Sequence, residues 1–225
     1  MNQPILTAPM GTNSTKSIAS EGMHIARIYQ IVDLGTTEQG GDYPGKKRKV
    51  QFLFELPNET SIFDPAKGPQ PYYAKSLYTL SMNSKSILRN NVESLLGKTM
   101  DDKEAYAFNI FNLIGKECMI QIVHTKKGEN TYANIKNITP MPKGMACPPA
   151  FNEPMIFSTQ QPDMNVFNKL PEFIQDKIKS SDEFIAYLNT PKSKLMEHFI
   201  EIPKNDPIDN SNVLPWDMDN QEPPF

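Results

Sequence analysis

Between Met23 and Ile138, apolar residues recur at every second position in short runs, and stretches bearing glycine and proline separate those runs. Period-two alternation belongs to strands with one buried face, so this segment is committed to a sheet rather than to a helical bundle. The cleanest run is 49–56, where Val50, Phe52, Phe54 and Leu56 share one face and Lys49, Gln51, Leu53 and Glu55 the other. Residues 23–34 give a first strand, with His24, Ala26, Ile28, Gln30 and Val32 on one side and Ile25, Arg27, Tyr29 and Ile31 on the opposite side. Residues 72–82 give a third strand. Residues 117–124 and 131–138 give a fourth and a fifth, joined by a short glycine-containing hairpin loop over 125–130. Residues 35–49, with Gly35, Gly40, Gly41, Pro44 and Gly45, are expected to form a loop, and the proline-bearing stretch 57–71 a second connection.

One helix fits between the third and fourth strands. Asn83 or Ser84 can cap it, Ile87, Val92, Leu95 and Leu96 form its buried stripe, and Gly97 closes it. A second helical piece is expected near 104–114. The expected fold class is therefore mainly β: a five-stranded OB-fold barrel with a helix between strands 3 and 4. Such small Greek-key barrels bind oligonucleotides across strands two and three and through the loops joining strands one to two and four to five.

Outside this body the composition changes. Hydrophobic residues make up 38% of the 225, and there are 20 prolines, fewer and more respectively than a fully packed chain carries. Residues 1–20 are polar and aperiodic and are expected to be a disordered N-terminal segment. The OB domain spans 21–145. Residues 146–202 read as a proline-rich extension with short amphipathic helices at 171–179 and 181–188, which can pack on their own barrel or on a neighbour's, leaving a homo-oligomer open. Residues 203–225 read as a disordered acidic tail. No stretch approaches the ~20 apolar residues that span a bilayer, and the first residues lack the features of a secretory signal. Cys118 and Cys147 are expected to be reduced thiols of a cytoplasmic chain.

The net charge of -3 conceals an asymmetry: basic residues outnumber acidic ones over 21–145, and acids outnumber bases beyond it. Catalysis finds little support. His24, His124 and His198 are far apart, Asp101-Asp102 suits a helix N-terminus, and no phosphate loop or nucleophile elbow is present. No enzyme activity, cofactor or metal site is expected.

Nucleic-acid binding fits better. Lys46, Lys47, Arg48 and Lys49 are four consecutive cations where the first loop meets strand two, and Lys126 and Lys127 sit at the facing hairpin. Cations that neutralise phosphates release counterions and give salt-sensitive affinity. Arg27 and Lys75 are further candidates. Unpaired strands also expose base faces, and Tyr29, Tyr72, Tyr73, Tyr78 and Tyr132 are the candidate rings, some of which would stack on them. The main rival from this sequence is a protein–protein adaptor or virion-associated module with the same barrel and no affinity for DNA.

The chain ends Trp216-Asp-Met-Asp-Asn-Gln-Glu-Pro-Pro-Phe225. This ending resembles the tip of bacterial single-stranded DNA-binding proteins, with Asp217, Asp219 and Glu222 matching the acids and Pro224-Phe225 the terminal pair. Pro223 stands where those proteins usually carry isoleucine, and the acids are fewer. A terminal ring and carboxylate suit a pocket rimmed by a cation, and the acids steer the peptide to a basic surface. The segments Ile28-Tyr-Gln-Ile-Val-Asp-Leu-Gly, Lys49-Val-Gln-Phe-Leu-Phe-Glu-Leu-Pro, Leu80-Ser-Met-Asn-Ser-Lys-Ser-Ile-Leu-Arg, Asn112-Leu-Ile-Gly-Lys and Leu170-Pro-Glu-Phe-Ile-Gln-Asp-Lys-Ile resemble a family of bacteriophage OB-fold single-stranded DNA-binding proteins. The resemblance covers about residues 23–188. It implies coating of single-stranded DNA during phage replication or recombination in the host cytoplasm, with the tip recruiting polymerase-, helicase- or primase-type partners.

Overall fold

The computed structural model describes residues 18–40 and 44–190. Six strands, β1 (Gly22–Gln39), β2 (Gly45–Asp64), β3 (Gly68–Thr79), β4 (Glu117–Lys127), β5 (Asn130–Pro140) and β6 (Met155–Phe157), form one sheet. The hydrogen-bonded path is β3-β2-β1-β4-β5, antiparallel throughout, and β6 adds to β1 in parallel. The sheet is not closed. β3 and β5 come near each other, but no ladder joins them among the described residues.

Strands are longer than alternation alone predicts. The ladder between β1 and β2 runs on through Thr36↔Arg48, Thr37↔Lys47 and Glu38↔Lys46 to Gln39↔Gly45. Residues 35–39 and 45–49, expected as loop, are therefore paired strand. β-branched threonines and the opposed charges of Glu38 and Lys46 suit cross-strand neighbours, and Gly35 takes φ 71° where the register shifts. The expected connection 57–71 is likewise mostly ladder, continuing past a shift at Leu56/Thr60 to Asp64↔Gly68. Pro69 and Pro71 are tolerated because β3 lies at the end of the path, where a missing N–H breaks no inner ladder. At the β4–β5 hairpin only Gly128 and Glu129 lie outside the strands, with Gly128 at φ 62°.

A bulge corrects the face assignment of β1. Ile28 opposes Phe54 and Gln30 opposes Leu53, so Tyr29 is the extra residue and the alternation changes phase there. Ala26, Ile28 and Ile31 therefore enter the main core, with Val50, Phe52, Phe54 and Leu56 of β2, Ala74 and Tyr78 of β3, Ile120 and Ile122 of β4 and Ile138 of β5. Val32 instead faces a second cluster, together with Leu34.

The helix between β3 and β4 is α1 (Ile87–Leu96), which lies against β3 and β5 and buries Leu88, Val92 and Leu95. Its cap is Ser86, whose Oγ accepts from Arg89 N at 3.1 Å, rather than Asn83 or Ser84. Gly97 closes it at φ 65°, the left-handed conformation that glycine adopts without a Cβ penalty. Asp101 caps the short α2 (Asp102–Ala107) by accepting from Glu104 N at 2.7 Å, and a 3-10 turn, Ile110–Leu113, follows.

The proline-rich extension adds a layer over β1. After β6 come α3 (Met164–Phe167), α4 (Glu172–Lys179) and α5 (Asp182–Asn189). Phe157, Phe167, Leu170, Ile174, Ile178 and Phe184 close over Val32 and Leu34. The helices thus pack on their own sheet. The described residues up to Tyr187 form one compact unit with the strands. No helix among the described residues is long and apolar enough to cross a membrane.

Candidate nucleic-acid interface

The basic run lies on a strand, and a strand sends successive side chains to opposite faces. Lys46 and Arg48 are on one face and Lys47 and Lys49 on the other. The run is not one cationic rim.

The first face is engaged with the extension. Arg48 donates from Nη2 to Asp33 Oδ2 at 2.6 Å and from Nε to Oδ1 at 3.1 Å. Asp33 Oδ2 also accepts from the amide of Thr159 at 3.0 Å and from its hydroxyl, and Gly35 N donates to Oδ1 at 3.1 Å. Burial opposes the charge on Asp33, but these bonds from Arg48 and Thr159 outweigh it and hold the carboxyl below its ordinary range. Lys46 reaches Asp182 at 2.7 Å, and Glu183 accepts from the backbone and hydroxyl of Thr36, both at 2.6 Å. Two of the four cations expected at phosphates therefore meet acids of the same chain.

Arg27 is also held internally. It is buried, donates to Glu55 and Glu117 at 2.9 Å each, and reaches the carbonyl of Pro148 at 2.6 Å. Burial opposes its charge, and the two carboxylates more than compensate, leaving its pKa raised.

The second face is open along β3. Residues directly opposite in a ladder share a face, and Lys49↔Thr79, Gln51↔Leu77, Leu53↔Lys75 and Glu55↔Tyr73 define it. Tyr73 is 59% exposed and Leu77 55%, with Lys75 exposed between them. Lys49 Nζ lies 2.9 Å from Thr79 Oγ1 at the end of the same row. A ring, a cation, an apolar side chain and a second cation are thus placed in succession along about 20 Å of sheet. This strip can stack a flat π-face and neutralise a neighbouring phosphate.

The other tyrosines divide by face. Tyr78 is 6% exposed, stands edge-on to Phe52 with ring centroids 5.3 Å apart, and accepts from Asn91 Nδ2 at 3.0 Å. It belongs to the core, and burial raises its pKa. Tyr72 also faces inward, against Phe63 at 4.9 Å. Tyr29, at the bulge, is mostly covered; burial raises its pKa, with Tyr73 and Glu55 close enough to add to the effect. Tyr132 is exposed on β5 opposite Thr125, next to the Lys126↔Thr131 pair, and Lys126 and Lys127 point to opposite faces of β4. Trp216, Asp217, Asp219, Glu222, Pro224 and Phe225 lie outside the described residues, as do most of the N-terminal segment and the acidic tail.

His24 and His124 anchor the lead into β1. His24 Nε2 donates to the carbonyl of Ser20 at 2.9 Å and its Nδ1 lies 3.2 Å from Glu59, while His124 Nε2 lies 2.7 Å from the carbonyl of Ala19. A cleft of about 360 Å³ opens beside His24 and Glu59, lined also by Met23, Leu56 and Met119.

No family model matches the chain, and no curated protein is significantly similar to it.

Proposed function

We propose that the chain is a non-catalytic single-stranded DNA-binding protein whose ligand lies along the outer face of β2 and β3. One observation carries the reading: Tyr73, Lys75, Leu77 and Lys49 stand exposed or at the rim in one continuous row. Rings that stack on bases and cations that meet phosphates are what an unpaired strand requires, and a duplex conceals its base faces from such a strip. The path β3-β2-β1-β4-β5, with α1 entering between β3 and β4, is the connectivity expected of an OB-fold left open between β3 and β5. The acidic ending Trp216–Phe225 supports a role in recruiting replication or recombination proteins, and the family resemblance suggests a phage replication module acting in the host cytoplasm.

Fluorescence anisotropy of labelled oligo-dT and of a duplex of equal length, at two salt concentrations, tests the reading. Preferential binding of oligo-dT, weakening steeply as salt rises, is expected. Equal or absent binding of both would leave the adaptor reading in its place.

A further inference from the structure

We propose that Phe151, in the extension, is a second base-stacking platform standing next to Tyr73, an inference that rests on the single-strand reading above. Phe151 is 55% exposed and lies between Pro148-Pro149 and Pro154, in a stretch with neither helix nor strand. The sheet fixes this stretch on both sides of the ring. Upstream, Arg27 Nη2 donates to the Pro148 carbonyl at 2.6 Å. Downstream, the backbone N and the Nδ2 of Asn152 both donate to Glu55 Oε2, at 3.0 and 2.9 Å.

The anchor decides where the ring lies. Glu55 is fully buried, and its other oxygen accepts from Arg27 at 2.9 Å, so its charge is met inside the protein and does not repel a phosphate. Glu55 is directly opposite Tyr73 in the β2–β3 ladder, on the same face. The anchors thus bring the backbone next to Phe151 onto the carboxylate that lies opposite Tyr73, with Lys75 next along β3. Proline and two side-chain anchors restrict the loop before any ligand arrives, so little ordering entropy is left for binding to lose. The fitting occupant is an unpaired nucleobase: flat and apolar on its faces, and attached to a phosphate within reach of a lysine. Asn152 and Arg27 act as positioning residues, since each holds the loop and neither is placed to touch the base.

The test compares the full chain with Phe151→Ala and Phe151→Leu, using labelled oligo-dT and an abasic deoxyribose-phosphate oligomer of equal length. Both substitutions should weaken oligo-dT binding, the alanine by roughly 5- to 100-fold, and leave both the abasic oligomer's affinity and the melting temperature unchanged. The leucine variant matters because it keeps apolar bulk but removes the stacking face. Wild-type affinity for oligo-dT in both variants, while Tyr73→Ala still weakens it, would overturn the role of Phe151 and leave the β2–β3 reading standing. Equal losses on both oligomers would also overturn stacking. Failure of the unsubstituted chain to bind oligo-dT at either salt concentration would remove the single-strand reading and this inference with it.

Discussion

Asp33 and Arg48 meet diagonally across the β1–β2 ladder, with the guanidinium bidentate on a carboxylate whose side chain is 5% exposed. Removing one member of such a pair leaves a buried charge unmet, at a cost of about 3–5 kcal/mol. Arg48→Ala should therefore lower the free energy of unfolding in urea by that order, while the fraction still folded binds oligo-dT with unchanged affinity. A stable Arg48→Ala chain with much weaker DNA binding would return Arg48 to the ligand.

The same pair sets an acid limit. Because the folded carboxyl of Asp33 titrates below the ordinary value of 3.8, its contribution is fully present above that pH and is lost as pH falls from 3.8 through the folded pKa. Between pH 5 and pH 2 the stability of the native chain should decline more steeply than that of Asp33→Asn. Parallel stability–pH curves from urea titrations would contradict this.

Tyr73 and Tyr78 lie five residues apart on β3, yet opposite faces give them opposite roles. Tyr73→Ala should cost about 1–3 kcal/mol of single-strand affinity and little stability. Tyr78→Ala should cost about 3–5 kcal/mol of stability through the vacated volume against Phe52. Calorimetric melting and oligo-dT titration of both variants would separate the two, and similar profiles would refute the division by face.

Gly35 lies against Ser181 of the extension. At φ 71° a Cβ would be strained, and it would also collide with the side chain of Ser181. Gly35→Ala should destabilise by at least about 1–2 kcal/mol and expose the residues around Ser181 to limited proteolysis. Unchanged melting and an intact extension would show that α5 is not seated there.

The main strands, the helix closed by Gly97, and α4 and α5 of the extension were legible because each is written in short-range periodicity and capping, whereas the single turn of α3 was not foreseen. Their extents were not. Thr36, Thr37 and the 46–49 cations look like loop until their cross-strand partners are known, since β pairing depends on residues distant in sequence. That misreading mattered for the site: on a loop four cations can converge, whereas on a strand they alternate. Tyr29 could not be recognised as a bulge, because an extra residue shows only against the partner strand. The three residues of β6 are too few to carry a period. Asn152 and Thr159, which hold the extension to Glu55 and Asp33, lie in a proline-rich stretch with no local signal of the carboxylates they meet.

The measurement closest to the central claim is photocrosslinking of a bromodeoxyuridine-substituted single strand to the full chain, with the adduct mapped by mass spectrometry. Adducts on the peptide carrying Tyr73, suppressed by Tyr73→Ala and by high salt, are the expected result. Adducts confined to the face of Lys46 and the extension helices, or none at a strand concentration that saturates anisotropy, would contradict a ligand path along the outer face of β2 and β3.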